Sequence, residues 1–327
     1  MTINWQPFVD LIAANESFVL TSHMRPDCDA LGSELGMAAA LESLGKKVRV
    51  INGDGVPPHI AFMDPHHKVE VLGEGVPTDH FPTPDVHIVL DTSAWQQLGP
   101  LADVLRSTTA TKVVIDHHVS SDDIGAIQFK DTKAESTGRL VLEAIEALRA
   151  KLTAEIAKVL FAAIATDTGW FRFNSVTDVT FRAVAKLVAA GASPVELFSK
   201  LYERHSLSRL RLQGLVLSHI ELQDGGRLAY SPVTLRDLAE TGAETTDTED
   251  VVNRLLTIAG VDVAALFVEL EPTWIKVSLR SRGKIDVRQV AEQFGGGGHN
   301  AAAGIRYEGT LAQAQTAILD AVRKAMG

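Results

Sequence analysis

The sequence predicts a parallel α/β domain followed by a smaller α+β domain. Three observations carry this. In the first half, short β-branched runs alternate with helical stretches. Those runs are almost wholly apolar, as strands covered by helices on both faces are. In the last third the alternation stops, and strand-like runs gather ahead of a closing helix. A length of 327 residues suits two domains at roughly 100–200 residues each. We read 1–190 as the first domain, 191–215 as a helical connection and 216–327 as the second.

Taken in order, 18–22 is the first strand, and a helix over 29–44 follows, stopped by Gly45. Residues 48–51 form the second strand and run into Asn52 and Gly53. Two more strands, 86–90 and 112–115, are short and apolar. From Ser136 the pattern is helical, over 137–152, 154–165 and 177–190. Ser193 then caps a helix with Pro194 at its first position. Residues 202–218 read as one long charged helix between the domains. Beyond it, 227–231, 264–270 and 274–280 are strands, with an acidic, exposed loop over 241–250. A short helix over 286–294, an edge strand over 305–307 and a helix over 311–326 complete the chain.

Composition narrows the function. The chain is 46% hydrophobic and 22% charged, which is ordinary for a folded domain and wrong for a disordered one. A single cysteine, Cys28, rules out an internal disulfide and a cysteine-built zinc site. Neither a signal peptide nor a membrane span is legible: the longest apolar run is 159–165. We therefore expect a cytoplasmic protein. Thirty-one basic residues against 41 acids give a net charge of −10, which argues against a protein that coats duplex nucleic acid. A small phosphate-bearing ligand remains compatible, since one pocket can be positive inside an acidic protein.

The chemistry gathers where strands end. The first strand runs into His23-Met24-Arg25-Pro26-Asp27-Cys28-Asp29, the one at 86–90 into Asp91, and the one at 112–115 into Asp116-His117-His118. In open α/β sheets, ligands bind at the carboxyl ends of strands. Asp167 closes an apolar helix and should be partly buried, with a cation or donor beside it. His23, Asp27, Asp29, Asp91, His117 and Asp167 are too many ligands for one catalytic zinc with an open position. They match two divalent ions sharing a carboxylate, a recurrent device for phosphoryl hydrolysis. A second acid–histidine run, Asp64-Pro65-His66-His67, follows a helical piece and contains a proline, so it reads as an exposed turn.

The pattern His-x-x-x-Asp-x-Asp, then Asp91, then Asp116-His117-His118, then Asp167, resembles the DHH phosphoesterase superfamily. The tail Gly295-Gly296-Gly297-Gly298-His299-Asn300-Ala301-Ala302-Ala303-Gly304 is similar to its associated type 1 C-terminal domain. The resemblance covers nearly the whole chain. It implies two divalent ions, manganese first among them. His23 and Asp27 would hold one ion, Asp29, His117 and Asp167 the other, and Asp91 would bridge. His118 would face the scissile phosphate, and Asp116 would orient a neighbouring imidazole. In size and order the chain resembles family members that hydrolyse very short RNA to mononucleotides and 3′-phosphoadenosine 5′-phosphate (pAp) to AMP. Linear or cyclic dinucleotides would be further substrates, and a homodimer is implied by resemblance alone. One departure is Cys28, where the family usually has glycine. Little effect is expected of this change, although it sets a thiol beside the metals that oxidation could reach.

The second domain would hold the substrate. A glycine run lets backbone amides approach an anion, so Gly297 and Gly298 join His299, Arg280 and Ser281 as its candidate contacts. Arg280 can grip a phosphate with two parallel hydrogen bonds. With the active site in a cleft between the domains, their separation would limit substrate length. Two other readings share these residues: a cyclic-dinucleotide phosphodiesterase and, in a different class, a non-catalytic nucleotide sensor.

Overall fold

A computed structural model describes residues 3–327; Met1 and Thr2, at the head of the stretch read for a leader, lie outside the described residues. The chain divides into two compact units, Met1–Arg204 and His205–Gly327.

The first unit is built on six parallel strands: β1 (Ser17–Thr21), β2 (Lys47–Asn52), β3 (Val69–Val71), β4 (Val86–Leu90), β5 (Thr111–Asp116) and β6 (Ile127–Lys130). Their order is β3-β2-β1-β4-β5-β6. Alternate residues feed two cores. Phe18, Leu20, Ile88 and Ile115 pack beneath the helices Cys28–Ser43, Thr137–Ala147 and Ala154–Asp167. Val19 and Ile51 face Leu101 and Val104 on the opposite side, while Val89 and Val114 face Leu98 and Leu105. This double burial explains the apolar runs.

The strand order also locates a crevice. From β1 the chain winds outward through β2 and β3, and from β4 it winds the other way through β5 and β6. The reversal lies between β1 and β4, and ligands in such sheets bind at the carboxyl ends there. The helices Cys28–Ser43 and Ala154–Asp167 pack closely; at Gly32, any side chain would overlap the Val159 carbonyl. Two short edge strands, β3 and β6, escape sequence reading because they are half polar and three or four residues long.

The second unit holds a mixed sheet of β7 (Glu221–Gln223), β8 (Leu228–Val233), β9 (Val263–Glu271), β10 (Trp274–Ser281), β11 (Gly297–His299) and β12 (Ala302–Glu308). Their order is β11-β12-β10-β9-β8-β7, with β8 and β9 parallel and the other pairs antiparallel. Val263, Ala265 and Phe267 of β9 pack toward Val287–Glu292 and Leu311–Met326; Ala264, Leu266 and Val268 pack toward Leu207–Ser218 and Val251–Leu255.

Three expectations need correction. The stretch 202–218 is not one helix: Pro194–Tyr202 ends in the first unit, and Ser206 caps Leu207–Ser218 by accepting the Arg209 N–H. The strand expected at an edge over 305–307 lies inside the sheet, because the glycine run itself forms the edge strand β11 beside it. The helix expected over 137–152 stops at Ala147, ahead of Arg149 with φ of 54°. Among the described residues, no helix is long and apolar enough to cross a membrane.

Candidate metal centre

Three strand ends and two helix ends bring the predicted acids and histidines together. Ligand atoms of His23, Asp27 and Asp91 lie within 4.8 Å of one another, as do those of Asp29, His117 and Asp167, and those of Asp91, His117 and His118.

Each residue has a local cause for its place. Asp27 caps Cys28–Ser43, accepting the Asp29 and Ala30 N–H groups at 2.9 and 3.1 Å. Capping thus falls to Asp27, which frees Asp29 for a longer reach. Asp29 accepts the Thr137 and Gly138 N–H groups at 2.7 and 2.8 Å, at the N-terminus of Thr137–Ala147. Asp91 follows β4 with φ of 61°, a conformation an aspartate tolerates better than bulkier residues. Its carboxylate accepts the Thr137 hydroxyl at 2.8 Å. Asp167 is the last residue of its helix.

The histidine tautomers follow from their partners. Nδ1 of His23 lies 2.9 Å from the Met24 carbonyl, and Nδ1 of His117 lies 3.2 Å from that of Ala134. A carbonyl only accepts, so each Nδ1 donates and each Nε2 carries a bare lone pair. The His23 Nε2 sits 3.4 Å from Asp91. The His117 Nε2 sits 3.5, 3.6 and 3.8 Å from Asp167, Asp91 and Asp29. Burial, with the His118 ring beside it, holds His117 below the usual histidine range and so neutral.

The carboxylates are under electrostatic strain. Burial, then the neighbouring Asp91, pushes Asp29 well above the carboxylate range; burial, then Asp27, does the same to Asp91. Asp167 rises to about 6, through burial and then Asp27. Among the described residues, no lysine or arginine pairs with any of these four acids. Acceptors facing acceptors across 3.4–3.8 Å need a cation between them. The donor set therefore fits divalent ions, and mixed carboxylate and imidazole ligation suits manganese, iron or zinc.

Asp116 differs from these acids. It is fully buried, yet hydrogen bonds from His118, Lys130 and Ser93 outweigh burial and hold its carboxyl well below the usual range. Lys130 donates to it at 2.9 Å, Ser93 at 2.7 Å and His118, through Nδ1, at 2.9 Å. Lys130 and Thr137 are neighbours of the site that sequence reading missed, and Ser93 belongs to the polar run after β4 without a role assigned from sequence. Lys130 arrives on the unrecognised β6, and Thr137 was read only as a helix start.

Cys28 opens the helix Cys28–Ser43. It is buried, and burial followed by the Asp27 charge pushes its thiol up to about 12. A thiol kept protonated and covered is a poor target for oxidation. The run at Asp64 is a turn, but Asp64 is buried, accepting the Lys68 and Val69 N–H groups at 2.8 and 3.0 Å.

In the second unit, Arg280, Ala302 and His299 share one register across β10, β12 and β11. Arg280 and His299 therefore project from one face of the sheet, about 10 Å apart at strand spacing. Gly297 and Gly298 make up the rest of β11, and Gly298, with φ of 145°, leaves no room for a side chain against Ala302. Ser281 is set apart. It points to the opposite, buried face, and its hydroxyl donates to the Ile285 carbonyl at 2.6 Å. Its position shapes the turn after β10 and not the face that carries Arg280.

Comparison with known proteins settles the family. The DHH family N-terminal domain matches residues 17–164, and the DHHA1 domain matches residues 225–327. A bifunctional oligoribonuclease and PAP phosphatase NrnA of Thermus thermophilus is 33% identical over 96% of this chain and 91% of its own. The chain belongs to the DHH phosphoesterase family. It is thereby a metal-dependent phosphoesterase. The protein of the same name from Bacillus subtilis is 29% identical over 90% of each chain. The crystal structure of an exopolyphosphatase-related protein from Bacteroides fragilis superposes with a TM-score of 0.87, at 28% identity, covering 98% of this chain and 95% of that one. The His23–Asp29, Asp91 and Asp116–His118 clusters all fall within the matched DHH domain; Asp167 lies just beyond it.

Proposed function

We propose that this DHH protein hydrolyses oligoribonucleotides of a few nucleotides to mononucleotides and pAp to AMP, in the cytoplasm, with two manganese ions. The observation that carries the reading is the full-length similarity to proteins named for those two activities, together with the converged acids and histidines. His23 and Asp27 would hold one ion, Asp29, His117 and Asp167 the other, with Asp91 shared. When bound, such a pair activates water at neutral pH and neutralises charge on the phosphate.

The protein's own groups set the geometry. Thr137 fixes both Asp29 and Asp91, so one helix N-terminus orients two of the acids. The Ala134 and Met24 carbonyls aim the two Nε2 atoms inward. Asp116 holds His118 through Nδ1, which leaves Nε2 to meet the scissile phosphate and its departing oxygen. In the DHHA1 domain, Arg280 and His299, with the amides of Gly297 and Gly298, would bind the substrate's far phosphate.

Product chromatography tests the reading. Purified protein with manganese is offered pAp, pApA, cyclic di-AMP and a long single-stranded RNA, each alone. Rapid AMP release from pAp and pApA, with slow action on the others, is expected. Preferential loss of cyclic di-AMP would overturn the assignment in favour of a cyclic-dinucleotide phosphodiesterase. Arg280→Ala should slow pApA more than a minimal aryl phosphate ester; an equal loss on both would refute the holding role of the second domain.

A further inference from the structure

Immediately after Asp167 the backbone turns left-handed three times in succession. Gly169, Trp170 and Phe171 have φ of 56°, 58° and 65°. For a bulky residue this conformation costs about 1–2 kcal/mol, and it persists only where the surroundings enforce it. Here Trp170 N–H donates to the Ala165 carbonyl at 2.6 Å, and Phe171 N–H to the Thr168 hydroxyl at 3.2 Å. The N–H groups of Arg172 and Phe173 both reach the Thr168 carbonyl, at 2.9 and 3.1 Å. The Trp170 and Phe171 rings meet Phe161 edge-on at 5.8 and 6.0 Å. The turn is a rigid pedestal on the end of the helix that supplies Asp167.

The fold does not use what the pedestal displays. Phe173 is 54% exposed and, unlike its two aromatic neighbours, has no ring partner among the described residues. Its ring lies against Gly169, where a Cβ would come within 2.5 Å of the ring's ζ carbon. Arg172 is exposed, and its Nε donates to the Gly169 carbonyl at 2.7 Å. Both terminal nitrogens of that guanidinium make no hydrogen bond among the described residues. An exposed phenylalanine alone would be ordinary surface. A strained, over-determined turn that holds a bare ring beside a half-anchored guanidinium, within six residues of Asp167 along the chain, is not. An aromatic face suits a nucleobase, whichever base it is. Two free guanidinium nitrogens suit a phosphate.

We propose that Phe173 and Arg172 are a nucleotide grip of the DHH domain: Phe173 stacks on a base of the substrate, and Arg172 binds one of its phosphates. The proposal rests on the oligonucleotide reading above and names how that substrate is recognised. The stack makes recognition tolerant of base identity, and the strained turn fixes it relative to Asp167.

Steady-state kinetics on pApA and on the same dinucleotide with both bases removed tests it. Phe173→Ala should raise KM for pApA about tenfold or more, leave kcat unchanged and leave the abasic substrate unaffected. Phe173→Trp should restore the pApA value. Arg172→Ala should raise KM on both substrates alike, and Arg172→Lys should recover it only in part. An equal effect of Phe173→Ala on both substrates, or none on either, would overturn the grip. Calorimetric binding of pApA in chelator, without turnover, separates this from the activity itself. Weakened binding in Phe173→Ala supports the grip even if wild type fails to hydrolyse pApA, and unchanged binding refutes it.

Discussion

His117 donates its Nδ1 proton to the Ala134 carbonyl at 3.2 Å, and this one bond turns its Nε2 toward Asp29, Asp91 and Asp167. Ala134 lies in the segment between β6 and the helix Thr137–Ala147, whose first N–H groups hold Asp29. The same short stretch therefore aims an imidazole and fixes an acid of the candidate centre.

Thr137 is the clearest case of that support. Thr137→Val keeps the shape of the side chain and removes its hydroxyl from Asp91. Losing such support typically costs about 10–100-fold in metal affinity or activity. Manganese titration calorimetry on wild type and variant should show weaker binding of that order, with an unchanged far-ultraviolet spectrum.

Asp167 should destabilise the metal-free protein. Its folded pKa of about 6 lies above the unfolded value of about 3.9, so the unfolded state gives up its proton first. Stability from this group is full below the unfolded value and is lost as pH rises through about 6. In chelator at pH 7.5, Asp167→Asn should melt about 2–4 °C above wild type while losing activity. The melting difference should vanish near pH 4, and calorimetric melts across that range check it.

His87 should act in the opposite direction. It is fully buried on β4, stacks on Phe81 at 5.7 Å, and neither ring nitrogen has a hydrogen-bond partner among the described residues. Burial, with Lys112 nearby, drives its pKa down to about 3. The unfolded chain takes up this proton near pH 6.5, so stability is full above that value and falls as pH drops toward 3. His87→Leu should flatten the acid limb of the stability curve; chemical denaturation at pH 8 and pH 5 measures the difference.

Lys130 should matter both to stability and to rate. Its ammonium serves Asp116, the Ser93 hydroxyl and the Ser120 carbonyl, and Asp116 is fully buried. Leaving a buried charge without its partner costs about 3–5 kcal/mol. Lys130→Met should therefore lower the urea midpoint and, by loosening the Asp116–His118 pair, reduce kcat. A variant as stable and active as wild type would refute this role.

Much of the centre was legible because its residues sit at strand ends, where apolar runs give way to acids and histidines. His23, Asp91 and His117 were placed by that logic, and Asp91 lies 3.4 Å from His23 and 3.6 Å from His117. The support around them was not legible. Lys130 rides on a four-residue edge strand with half-polar burial, which leaves no periodic signal. Thr137 and Ala134 act through a hydroxyl and backbone groups that carry no mark in sequence. In the DHHA1 domain, the glycine run gave no hint of β11, since strand propensity predicts against it. It pairs because Gly298 fits where a side chain would collide with Ala302.

The most direct test of the account is anomalous diffraction at the manganese edge from crystals soaked in manganese. Two peaks are expected, one among His23, Asp27 and Asp91 and the other among Asp29, Asp91, His117 and Asp167. A single peak, or density away from Asp91, would contradict a shared carboxylate and the two-ion centre built on it.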